Sequence, residues 1–312
     1  MGDVLTLYRG DGLTRARQWA ELDEPERRRR SVRACRDRDA TQLWDLLEAH
    51  LILTGSAGSH ISEHTKAAYK RGLVVLLEAW AGVNLLRPPK SAAALWIRSQ
   101  EAQGLAPATI QVRLAGARAL YRALRWAGAL DGDPLADVRP AKDPTPAWEK
   151  RQPCSETELT RMLAVAGPVD RALIALGSQA GLRIAEILGL KWSEVELSAG
   201  RLIVAKGKGG RKRSVPISGT LRAALSDLPQ RFGYVIPFRS AVHARHRIRV
   251  VCQAAGTEYR AAHSLRHAVG ARVLKASDLQ TVAEILGHSS LDTARRYSHF
   301  NDDKLKALVS EW

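Results

Sequence analysis

From residue 37 to about residue 128 the apolar positions recur at helical spacing throughout. Residues 40–53 carry Leu43, Trp44, Leu47 and Leu51 along one side. A second helix starts at Ser62, a capping residue followed by Thr65 where a complete capping box would have an acid. It sets Ala68, Tyr69, Leu73, Leu76, Leu77 and Trp80 at helical intervals. The sequence Pro88-Pro89-Lys90 interrupts the pattern, and residues 91–103 form a third helix. Pro107 opens a fourth, which runs to Trp126 and stops before Gly128. Each helix carries one tryptophan: Trp44, Trp80, Trp96 and Trp126. This predicts the shared core of a four-helix bundle rather than platforms for base stacking.

The segment 131–153, DGDPLADVRPAKDPTPAWEKRQP, holds five prolines and mixed charge, which excludes a helix interior or a central strand. It reads as a partly extended linker. Ser155 with Glu158 then makes a full capping box. Helices are predicted near 155–166, 169–180, 183–189, 220–228, 240–255, 264–275, 278–286 and 302–310. Between the third and fourth of these, LIVAKGKGGRKRSVPI has strand-like ends around a cationic tip and predicts a β-hairpin. The expected fold is mainly α with a small β-hairpin or sheet. The expected divisions are a basic extension over 1–36, a helical domain over 37–130, the linker over 131–153 and an α+β domain over 154–312. The extension ends in ERRRRSVRACR and reads as a solvated or disordered arm, with an ordered extension, a DNA-contacting arm or a misassigned start as the alternatives.

A length of 312 residues fits two domains. Lysine and arginine number 48 against 32 aspartate and glutamate, a formal charge of +16, which favours a polyanionic partner. The three cysteines are far apart and form no CxxC pair, which argues against a disulfide framework or a zinc site and suits a reducing cytoplasm. No apolar run approaches the roughly 20 residues that span a bilayer, and the start lacks a secretory core. No partner membrane is expected. Neither a P-loop nor a GxGxxG motif is present, and no metal-ligand cluster stands out, so no cofactor and no metal is expected.

Four stretches hold groups suited to a phosphate: AGLRIAEILGL with Arg183 and Glu186, the hairpin with Lys206 and Lys208, HSLRH with His263, Arg266 and His267, and LGHSSLDTARRYSH with His288 and Tyr297. Phosphoryl transfer needs cations around the non-bridging oxygens, an in-line nucleophile and a proton for the leaving oxygen. Arginine suits the first task because its planar fork binds two oxygens and stays charged. Glu186, three residues beyond Arg183, shares its helical face and can hold that guanidinium in register. A phenol with pKa near ~10 becomes a nucleophile where positive charge favours the phenolate. Arg118, Arg122 and Arg125 share a face of the fourth helix, where they either track a DNA backbone or are simply solvated. In RSAVHARHRIRV, Arg245, Arg247 and Arg249 cannot all face one way, so only some can touch phosphates.

In order and in final spacing, these groups resemble the tyrosine recombinase (phage integrase-like) family, over about residues 37–312. EHTKAAYKRGL and DPLADVRPAK look like the corresponding segments of Xer-type members. The resemblance implies a helical core-binding domain followed by an α+β catalytic domain. It implies that Arg183 and Arg266 bind the scissile phosphate, with Glu186 supporting Arg183. Lys208 would be the general acid for the 5′ oxygen, with Lys206 the competing candidate. His263 would serve as acid or base, His288 as a donor to the phosphate, and Tyr297 as the nucleophile that leaves a 3′-phosphotyrosine. Lys206, Arg211, Arg245 and Arg249 join Arg118, Arg122 and Arg125 as expected DNA contacts. The implied partner is double-stranded DNA with a specific recombination site. The implied assembly is a homo- or hetero-tetramer on two duplexes, docked through helix 302–312. The implied roles are Xer-type resolution of chromosome or plasmid dimers, or integration of a mobile element. A non-catalytic DNA-binding module and a topoisomerase-like nicking and closing activity are the further alternatives.

Overall fold

The computed structural model describes residues 11–145, 149, 152–204, 212–229 and 231–287. The chain divides into two compact units, Met1–Pro144 and Thr145–Trp312. Among the described residues, no helix is long and apolar enough to cross a membrane.

Among the described residues, the first unit has six α-helices: α1 (Gly12–Glu21), α2 (Glu24–Arg36), α3 (Ala40–Thr54), α4 (Glu63–Ala79), α5 (Ala92–Ala102) and α6 (Pro107–Trp126). The last four are those that the periodicity predicts. Side chains of Asp11, Asp23, Asp39 and Ser62 accept from backbone N–H groups of the first turns of α1, α2, α3 and α4 and so define their starts. Trp44, Trp80 and Trp96 lie in the core, while Trp126 sits at its edge with the Arg27 guanidinium 4.6 Å above the ring. Helices α4 and α6 meet backbone to backbone. A Cβ added at Gly72 would lie 2.6 Å from the Arg113 carbonyl oxygen, and one at Gly116 would lie 2.6 Å from that of Tyr69.

Within the stretch read as an arm or an ordered extension, α1 and α2 decide for order over residues 12–36, and both pack into this core. Trp19 is fully buried, with Ala16, Ala34 and Cys35 around it. Arg15 hydrogen-bonds the buried Glu48 and lies 3.4 Å from Asp45. Arg28, Arg29, Arg33 and Arg36 form the exposed face of α2. Part of the predicted linker is also built into this unit. Leu135 is fully buried, and the Arg118 guanidinium donates to the carbonyls of Leu135, Ala136 and Val138 at 3.0, 3.0 and 2.6 Å. That corrects the expectation for Arg118: its fork holds the chain leaving α6, whereas Arg122 and Arg125 are exposed.

The second unit contains α7 (Glu156–Val165), α8 (Pro168–Ser178), α9 (Ile184–Gly189), β1 (Val195–Glu196), β2 (Arg201–Val204), β3 (Arg213–Pro216), α10 (Gly219–Ser226), α11 (Ala241–Ala254), α12 (His263–Ala276) and α13 (Leu279–Leu286). The Ser155–Glu158 capping box forms as read, with Ser155 N–H donating to Glu158 at 2.7 Å and Glu158 N–H to Ser155 Oγ at 3.2 Å. Helix α8 is the central post, with Ala172 through Ser178 all buried. The sheet has the order β1-β2-β3, antiparallel throughout, with Leu202 opposite Val215 and Val204 opposite Arg213. The two-residue β1 is too short to leave an alternation in the sequence.

Candidate active site

The site is organised around Glu186, at the third position of α9, with its side chain 4% exposed. Helix position dictates its first contact. The carboxylate folds back and accepts the Arg183 backbone N–H at 2.9 Å, and Arg183 Nη1 closes on Oε1 at 2.9 Å. Arg213 approaches from β3 and binds both oxygens, Nη1 to Oε1 at 3.0 Å and Nη2 to Oε2 at 2.8 Å. Arg266, in the first turn of α12 and 4% exposed, places Nη1 3.9 Å from Oε2. Its Nη1 and Nη2 also donate to the carbonyls of Gly181 and Leu286. Gly181 has φ +65° and lies directly under Leu286, with no room for a Cβ, so the carbonyl that meets Arg266 sits in a tight turn.

Three guanidiniums therefore share one buried carboxylate. Burial pushes the Glu186 carboxyl up. The hydrogen bond from Arg213, the backbone N–H of Arg183 and the charges of both arginines outweigh it and hold the group at about 2. The carboxylate stays ionised at any working pH and fixes the forks in place. The cluster keeps an excess of positive charge, which prepares a place for an anion without reorganisation.

His263 opens α12, its ring 6.1 Å from that of His267. Both line a cavity of about 570 Å³, together with Ile184, Arg245, Tyr259 and Arg260. Arg245 thus faces the same cavity as His263. The Arg249 guanidinium lies 4.7 Å from the Tyr259 ring centre and is exposed on its helix. Arg247 faces the other way and binds the buried Asp170 at 3.1 and 2.5 Å. The structure therefore brings together Arg183, Glu186 and Arg266, with His263 at the start of the helix that carries Arg266. Lys206, Lys208, Arg211, His288, Tyr297 and the predicted helix 302–312 lie outside the described residues. Sequence reasoning missed Arg213. The available signal was phase: it is two residues before Val215, which is 1% exposed, so both point to the covered face of β3.

Comparison with known proteins defines the class. The model for the phage integrase family matches residues 154–304, and that for the phage integrase N-terminal SAM-like domain matches residues 56–128. A tyrosine recombinase XerC of Xanthomonas campestris pv. campestris is 30% identical over 262 residues, covering 77% of this chain and 80% of that protein. The XerC of Pseudomonas putida is 28% identical over 277 residues, covering 80% and 89%. In fold, the chain resembles a lambda integrase dimer bound to a COC′ core site, with TM-score 0.66, 18% identity, and 81% and 75% of the two chains covered. It likewise resembles the Tn1549 transposon integrase with transposon right end DNA, with TM-score 0.68, 15% identity, and 86% and 99% covered. The chain belongs to the phage integrase family and is a tyrosine site-specific recombinase. Its sequence relatives place it with the Xer-type members.

Proposed function

We propose that the chain cuts and rejoins double-stranded DNA at a specific site, with Tyr297 as nucleophile. The observation that carries this reading is the gathering of Arg183 and Arg266 at one ionised carboxylate, Glu186. Arg183 and Arg266 bind the non-bridging oxygens of the scissile phosphate, and Glu186 holds the Arg183 fork. The Tyr297 oxygen attacks phosphorus, the bond to the 5′ oxygen breaks, and a 3′-phosphotyrosine forms. The phenolic proton passes to His263, and Lys208, or Lys206 in its place, protonates the leaving 5′ oxygen. His288 donates to a phosphate oxygen. Attack by a 5′-hydroxyl on the phosphotyrosine reverses these steps and rejoins a strand, so the bond energy is conserved.

Arg122, Arg125, Arg245 and Arg249 are exposed cations suited to phosphate contacts, with Lys206 and Arg211 on the hairpin. Lambda integrase forms a tetramer on a Holliday junction in a structure of the same fold. That supports assembly of four protomers on two duplexes, joined through helix 302–312. The XerC relatives support Xer-type site-specific recombination, and resolution of chromosome or plasmid dimers is the role proposed within it. The same residues would serve integration of a mobile element; resolution of a plasmid dimer in cells lacking any element junction favours the first role.

The test is a nicked suicide substrate carrying the cognate site. The native protein accumulates a covalent protein–DNA adduct, and Tyr297→Phe forms none. An adduct of equal yield in Tyr297→Phe overturns the assignment. Equal binding by both proteins with no adduct in either makes this a non-catalytic DNA-binding module.

A further inference from the structure

Arg213 stands at the meeting of three features. It is the first residue of β3, just after the hairpin that carries Lys206 and Lys208. Its side chain is only 12% exposed, and its fork covers both oxygens of Glu186. Its stem lies against Gly287, the residue that turns the chain out of α13. Gly287 has φ +62°, and a Cβ there would come within 3.0 Å of Arg213 Cδ and Nη1 and 3.2 Å of Nε. Only glycine lets that corner rest on the guanidinium. The neighbouring carbonyl, Leu286, is held by Arg266. Of two arginines tied to the same carboxylate, Arg266 thus binds the last residue of α13 and Arg213 packs against the next, immediately before His288.

We propose that Arg213 is a positioning residue for strand cleavage: by bridging Glu186 and the corner at Gly287, it sets where the segment carrying His288 and Tyr297 departs relative to Arg183 and Arg266. This rests on the reading of Tyr297 as nucleophile. An ion pair that merely stabilised the unit would have no reason to lie on the exit of that segment, nor to occupy the carboxylate that also fixes Arg183. Arg213 also supplies the largest pull that keeps Glu186 ionised. Without it the carboxyl moves up, and protonation begins to release the Arg183 fork at higher pH than in the native protein.

The experiment uses the full chain with Arg213→Gln, Arg213→Lys and Gly287→Ala, the suicide substrate under single-turnover conditions across mildly acid to mildly basic pH, and equilibrium binding to the same DNA. Arg213→Gln should bind DNA within about twofold of the native protein. It should cleave about 100-fold slower, as for a misplacement of about 1 Å, with the acid limb of its pH–rate profile extended to higher pH than the native protein's. Arg213→Lys keeps the charge and loses the fork, and should be slower by about 10-fold, without that extension. Gly287→Ala should slow cleavage, also without the extension. Cleavage by Arg213→Gln at the native rate overturns the proposal. So does a loss that is uniform across pH and follows the folded fraction. Absence of adduct in the native protein removes the nucleophile reading and this one with it, whereas a native adduct with unimpaired Arg213→Gln removes this one alone.

Discussion

Replacing Glu186 with glutamine tests the charge balance of the site directly. The carboxyl lies at about 2 in the folded chain against an ordinary 4.5. A depressed folded value stabilises the fold above the unfolded value, and the gain is lost as pH falls through the folded one. From those two values, the ionised group contributes about 3 kcal/mol at pH 7 and about 2 kcal/mol at pH 3.5. Glu186 is buried, so little is lost to solvent screening. Glu186→Gln keeps the shape and leaves three guanidiniums around a neutral amide. In urea denaturation of the second unit, the variant should be less stable by about 3 kcal/mol at pH 7. The gap to the native protein should narrow by about 1 kcal/mol on going to pH 3.5. The difference between the two proteins cancels the other titrating groups. A gap that stays constant or widens with acid refutes the reasoning.

Arg15→Ala should lower the stability of the first unit by about 2 kcal/mol, because Glu48 is left with Lys66 as its cation and Asp45 loses its guanidinium; hydrogen exchange of α1 reports it. Gly116→Ala should cost about 2 kcal/mol in thermal or urea unfolding by forcing α4 and α6 apart. Arg122→Ala and Arg125→Ala should each lower the slope of log binding constant against log salt by about one while leaving the melting temperature unchanged, and Arg118→Ala should lower the melting temperature instead.

What the sequence discloses follows the range of the interaction. The Ser155–Glu158 box and the Arg183–Glu186 pair join residues three apart on one helix, and both were readable as spacing. The helix stop before Gly287 was readable because a left-handed corner selects glycine. Arg213 reaches Glu186 across 27 positions, and in KGKGGRKRSVPI it is one cation among many. The N-terminal helices hid for a different reason. Beneath its arginines, α2 buries only Ser31, Ala34 and Cys35, so its packed face is made of small side chains and no apolar stripe stands out. Arg118 was misread because a guanidinium satisfied by three backbone carbonyls looks the same in sequence as one that faces solvent.

The docking of Trp19 against α3 restricts where this protein can be shortened. The family model for the first domain begins only at residue 56, which invites a clone that starts well inside the chain. Deleting the first two helices would strip an indole from its socket and open the greasy wall beneath it to water. Such a fragment should be sticky and short-lived in solution, and its failure to recombine DNA would say nothing about the chemistry of the residues left behind.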